Sequence, residues 1–116
     1  MKPIQIKRVY DAPSKSDGYR ILIDRIWPRG VSKEDADLDD WNKDLAPSTE
    51  LRKWFDHDPD KFDDFSFKYK KELKDKVDAL KHLGQKAKDQ TVTLLYGAKD
   101  ETYNQAVVLK EVLENI

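Results

Sequence analysis

The chain has 116 residues, of which 38% are hydrophobic and 39% charged, and its formal net charge is −1. That length suits one core in a single domain spanning 1–116, and a charge so close to zero supplies no basic field to favour nucleic acid. Cysteine is absent, which excludes disulfides, thiolate nucleophiles and cysteine-ligated metals, and no apolar run reaches the ~18 residues that a membrane span needs.

The first ten residues, MKPIQIKRVY, lack the apolar core of a signal peptide. Together with the missing cysteine this suits a cytoplasmic protein. Ile4 and Ile6 alternate with Gln5 and Lys7, the pattern of a strand with one apolar face, placed nearer an edge. Pro3 suits its start. Asp11 to Gly18, DAPSKSDG, reads as a loop. It is short for a helical crossover, so the first two strands form either a loose hairpin or a parallel pair with an irregular link.

Tyr19 to Gly30, YRILIDRIWPRG, is the stretch around which the rest is organised. Ile21, Leu22 and Ile23 are consecutive and apolar, so both faces of the strand are apolar, as in a central strand covered on each side. Pro28 ends the ladder and Gly30 permits a sharp exit. Asp24 and Arg25 must point to opposite faces. In open α/β sheets ligands bind beyond the carboxyl ends of strands, and Arg25 and Arg29 lie at such an end. Two guanidinium groups there suit a carboxylate or phosphate. The bland alternative is an ion pair, with Asp24 or a later carboxylate neutralising Arg25.

Ser32 and Asp35 resemble a capping box opening a short helix near Lys33 to Ala36. Leu38, Trp41 and Leu45 have helix-like spacing, but the acidic residues among them leave helix and strand both open. After Pro47, Ser48 caps a helix with Leu51, Trp54 and Phe55 on one face. Asp58-Pro59 then opens the longest predicted helix. Its stripe is Phe62, Phe65, Tyr69, Leu73, Val77 and Leu80, its other face mixes Lys with Glu72, Asp75 and Asp78 as a solvated face, and Gly84 ends it. Gln85 to Gln90 is a polar connector. Thr91 to Tyr96 is a second strong strand, and Asp100 caps a final helix with Ala106, Val107, Leu109, Val112, Leu113 and Ile116 inward. No glycine pattern makes GxGxxG or a phosphate loop.

The chemistry-bearing residues are few. Asp24 and His57 are the candidates for moving a proton. Arg25, Arg29, Lys99, Tyr96 and Asn104 would line a ligand site if the two strong strands are neighbours. His57, in Asp56-His57-Asp58, has a bland reading as a surface residue beside a helix cap, and His82 as a partner of a helix C-terminus. Two separated histidines make no metal site, and no cofactor is expected. Trp27 and Trp54 offer a second use of the surface, as aromatic anchors for a partner or a homodimer.

DRIWPRG at Asp24 to Gly30, LAPSTELRKWF at Leu45 to Phe55, TLLYGAKD from Thr93 and NQAVVL ending at Leu109, with IKRVYD and FKYKKEL, resemble the YeaO-like branch of domain-of-unknown-function family 488. The resemblance implies a small, intracellular bacterial or archaeal α/β protein of no established reaction. Longer relatives carry a Cys-His-Arg set after the strand matching Thr91 to Tyr96. Here that region reads Asp100-Glu101-Thr102-Tyr103-Asn104-Gln105 and holds no sulfur, so thiolate chemistry in those relatives would not transfer. The expectation is therefore an α/β domain with a small mixed or parallel sheet of three or more strands and packed helices. Its expected function is binding of a small anionic ligand at an arginine-lined cleft at the carboxyl ends of strands, with enzymatic action as one form of it; the alternative is a non-catalytic binding or regulatory module that acts through an aromatic-arginine surface.

Overall fold

In the computed structural model, which describes residues 3–116, four parallel strands form one sheet in the order β1-β4-β2-β3. They are β1 (Ile4–Arg8), β2 (Tyr19–Leu22), β3 (Asp40–Trp41) and β4 (Val92–Tyr96). The α/β class and the parallel option are realised. The two strong strands are neighbours, with Ile21 opposite Leu94 and Leu22 opposite Leu95. β1 lies at an edge, but it pairs with β4 rather than with β2. Neither link considered for the first two strands therefore forms, because β4 stands between them.

The apolar run of β2 is covered on both faces, and Ile21, Leu22 and Ile23 are fully buried. Alternation sends Ile21 and Ile23, with Leu94 of β4, into the larger core. That core is roofed by α2 (Thr49–Phe55), α3 (Phe62–Leu73), α4 (Val77–Asp89) and α5 (Gln105–Glu114). Leu22 and Leu95 face a smaller cluster with Val9, Ala36 of α1 (Lys33–Ala36), Trp27 and Trp41.

Caps readable from local sequence are in place. Ser32 Oγ accepts from the Asp35 N–H at 3.0 Å, and Ser48 Oγ from the Leu51 N–H at 3.1 Å. Gly30 has φ of 79°, the left-handed exit that glycine permits.

Around Leu38, Trp41 and Leu45, where the sequence leaves helix and strand both open, a short strand forms. Asp40 and Trp41 pair with Ile21 and Leu22, and Lys43–Leu45 is one 3₁₀ turn. The long predicted helix is a 3₁₀ turn at Pro59–Lys61 followed by two helices. Between them the amides of Lys74, Asp75 and Lys76 bond three residues back, at 3.3, 3.3 and 2.9 Å, the tighter 3₁₀ pattern. The turn is needed because α3 packs on α2 and α5, whereas α4 packs on β4 and α5. Val77, placed in the predicted stripe, is exposed.

Gly84 lies inside α4, and Gln85 to Asp89 are helical rather than a connector. Burial of Leu80, Leu83 and Ala87 along that helix outweighs the ~1 kcal/mol helix cost of a glycine. His82 is consequently mid-helix and exposed, away from a C-terminus. α5 starts at Gln105 with Asn104 as its cap, not Asp100, and its buried side chains are Ala106, Val108, Leu109 and Leu113. Val107 and Val112 are half-buried and Ile116 is exposed.

Candidate functional site

The carboxyl ends of β2 and β4 open into a cleft of about 770 Å³. Its floor is Asp24, the first residue to leave the β2 run. Trp41 Nε1 donates to the Asp24 carbonyl at 2.7 Å, and Trp27 meets Trp41 edge to face at 5.2 Å. The carboxylate accepts from the Gly97 N–H at 2.8 Å and from the Gln105 side-chain amide. One side chain thus ties the ends of both central strands to the start of α5. Burial pushes the Asp24 carboxyl up to about 6, against the lowering effect of those two donors and of the Arg52 charge.

Gly97 tolerates this arrangement because it has no side chain. A Cβ there would lie 2.8 Å from Asp24 Oδ2. Gly97→Ala is expected to lower stability by about 1–3 kcal/mol through overpacking, read from urea unfolding. In an Asp24→Ala background the same change should cost less than half as much, since the obstructing oxygen is gone. Equal costs in both backgrounds would show that the clash is relieved elsewhere.

Arg25 and Arg29 both line the cleft, but they are held differently. Arg25 lies beyond the end of β2, in a bend, and reaches toward the segment ahead of α2. Its Nε donates to the Pro47 carbonyl at 3.0 Å and an Nη to the Ala46 carbonyl at 3.3 Å. Neither Asp24 nor a later carboxylate forms an ion pair with it; two main-chain carbonyls take that place and fix the approach to α2. Arg29 is exposed, and its carbonyl accepts from the Tyr10 hydroxyl at 3.0 Å.

Lys99 is exposed and lines the same cleft. Asn104 also lines it, but its amide is committed to structure. Its Oδ1 caps α5 through the Val107 N–H at 3.1 Å, and its Nδ2 donates to the Asp100 carbonyl at 2.9 Å. Tyr96 does not line the cleft. It follows Val92 and Leu94 onto the core face of β4 and is only 2% exposed.

His57 is exposed and reaches the cleft from the end of α2. Asp56 and His57 have φ of 48° and 56°, two successive left-handed residues without glycine. Such backbone is costly and clusters at functional positions. Across the opening, the N–H groups of Tyr103 and Thr102 hold the Asp100 carboxyl below its ordinary range.

Arg52, Gly97 and Gln105 were not foreseen as site residues. Arg52 sits one position beyond Leu51 on α2 and is exposed on the flank that borders the cleft. Its place beside the Leu51–Phe55 apolar pair was the available signal. Gly97 carried a signal as the first residue of the tight exit Gly97-Ala98-Lys99 after the second strong strand, whereas Gln105 had none. Trp27 and Trp54, the expected aromatic anchors, are half-buried. Trp27 Nε1 donates to Val31 at 2.7 Å, and Lys68 lies over the Trp54 ring at 3.9 Å.

Among the described residues no cluster of His, Asp or Glu is arranged to hold a metal, and no helix is long and apolar enough to cross a membrane. A family model described as the inactive DUF488-N3 subclade matches residues 3–116. The chain is 49% identical over 113 residues to the uncharacterized protein YeaO of Escherichia coli K12, covering 97% of this chain and 98% of that one. It is 39% identical over 110 residues to the uncharacterized protein Rv3073c of Mycobacterium tuberculosis H37Rv, covering 95% and 92%. No solved structure matches.

Proposed function

The chain belongs to the DUF488 family, in the subclade described as inactive, and on that premise we propose that its cleft binds a small anionic ligand without transforming it. The observation that carries the reading is the set Arg29, Arg52 and Lys99. All three line the cleft, and among the described residues none of them forms an ion pair with a carboxylate. Unpaired guanidinium groups at the mouth of a low-dielectric hollow attract anions, and their fork geometry suits carboxylate or phosphate. The location at the carboxyl ends of parallel strands adds support.

Binding without turnover is favoured over catalysis by the side chains present. The lining offers no serine, threonine or cysteine nucleophile. The word "inactive" in the family description points the same way.

Calorimetric titration with inorganic phosphate tests the reading, alongside chemical-shift mapping of the backbone. Shifts should concentrate at Asp24–Arg29 and Gly97–Gln105. Arg52→Ala, an exposed change, should weaken binding about tenfold, the worth of one charged hydrogen bond. Raising ionic strength should weaken it further. No perturbation in the cleft, or equal affinity in the Arg52→Ala variant, would overturn the proposal.

A further inference from the structure

We infer that the ligand of this cleft carries a planar aromatic body joined to its anionic group; this deepens the anion-binding reading above and rests on it. Three observations lead there. The first is size. A hollow of about 770 Å³ lies within the range of sites for drug-sized molecules and far exceeds what a bare phosphate or carboxylate fills.

The second is where apolar surface is left open. The exposed large hydrophobic side chains of the described residues are Tyr10, Ile26, Phe67, Val77, Tyr103 and Ile116. Tyr10, Ile26 and Tyr103 all line this one cleft, at 46%, 57% and 40% exposure. The others are scattered on α3, α4 and the last residue. Exposed apolar side chains gathered around a concavity mark a binding site, whereas single ones do not.

The third is rigidity. The Tyr10 hydroxyl is fixed to the Arg29 carbonyl, with the Arg8 guanidinium 4.9 Å from its ring centre. Tyr103 is set edge to face on Phe62 at 5.2 Å. Held rings offer stacking surface at little entropic cost.

The charges divide the cleft. Asp24 lies on the floor with each oxygen accepting one hydrogen bond and capacity for more. A carboxylate there repels an anion and favours an N–H donor, such as the exocyclic amino group of a nucleobase. The anionic group is therefore placed toward Arg29, Arg52 and Lys99, and the ring over the tyrosine walls. Since the chain has no glycine-rich phosphate loop, side chains rather than backbone amides would hold the anion.

The test is calorimetry on the whole chain with AMP, ribose 5-phosphate, adenosine and inorganic phosphate. AMP should bind about tenfold or more tighter than ribose 5-phosphate, the worth of one stacked ring, and also tighter than adenosine. Tyr103→Ala should erase the advantage of AMP while leaving ribose 5-phosphate binding in place, with an unchanged unfolding midpoint as the control for folding. Ile26→Ser provides a second, independent change on the same wall. Equal binding of AMP and ribose 5-phosphate would overturn the aromatic inference and leave the anion reading standing. Failure of all four probes would overturn both.

Discussion

Asp17→Asn is expected to lower the unfolding free energy by about 3–5 kcal/mol, the usual effect of breaking a buried ion pair from one side. Asp17 and Arg20 are each only 3% exposed. Asp17 Oδ2 accepts from an Arg20 Nη at 2.5 Å and from Lys7 Nζ at 3.1 Å, and also from the Ser14 N–H at 3.0 Å. Its main-chain carbonyl accepts from the Thr93 hydroxyl at 2.6 Å. Arg20 directs its remaining donors to the carbonyls of Asp37 and Ala36, at 2.9 and 2.7 Å. The network joins β1, β2 and β4 with the loop ahead of β3, at the end of the sheet opposite the cleft. Asparagine keeps the shape but leaves Arg20 cationic without a counter-charge, where water does not reach it.

The pH dependence supplies a second readout. Burial works against the charge of Asp17, but the Ser14 N–H, Lys7 and Arg20 outweigh it and hold the carboxyl below its ordinary 3.8. A depressed carboxyl stabilises the fold above its unfolded value, and that contribution disappears as pH falls through the folded value. The acid limb of the stability curve, below about pH 4, should therefore flatten in the variant. Urea unfolding at neutral pH and at pH 3 measures both effects. A loss under ~1 kcal/mol at neutral pH would place Arg20 in contact with solvent.

What sequence reasoning reached, and where it stopped, follows the range of the forces involved. The β2 run was legible because three successive apolar residues need no partner to be recognised. The caps at Ser32 and Ser48 were legible because capping is decided within four residues. Strand β3 was not, since Leu38, Trp41 and Leu45 fit a helical period and only pairing with Ile21 and Leu22 makes Asp40 and Trp41 extended. The break at Lys74 to Lys76 carries no glycine or proline and arises from the different packing partners of α3 and α4. Arg20 gave no sign of burial, because its acceptors come from Asp17, Ala36 and Asp37 together. The rim of the cleft was legible in part. The strand end announces Arg25 and Arg29, but which of them is committed to carbonyls depends on where Ala46 and Pro47 arrive. Tyr96 was misplaced by parity, since its position on β4 alternates toward the core.

The opposite pH signature is expected at the floor of the cleft. Asp24→Asn should raise stability at pH 7 by up to about 3 kcal/mol, the free-energy equivalent of a carboxyl moved from 3.8 to about 6. The sign follows from proton binding. Between those values the native state holds a proton that the unfolded state has released, so wild-type stability falls as pH rises from about 4 to about 6 and stays lowered above it. Asparagine fits the same bonds. Its oxygen accepts from the Gly97 N–H, and its amide donates to the Gln105 side chain once that amide turns over. Urea unfolding across pH 4–8 should show the fall in wild type and its absence in the variant. A wild-type curve that is flat over this window, or a less stable variant, would contradict the assignment. The same substitution removes the more buried of the two carboxylates that line the cleft, Asp24 and Asp100, so on the proposed reading phosphate affinity should rise as stability does. The tie between the strand ends and α5 needs the two hydrogen bonds of Asp24 but not its charge, since asparagine would keep both. On the proposed reading the charge serves recognition of a ligand, and loss of selectivity for N–H-bearing ligands in Asp24→Asn is the form that role would take.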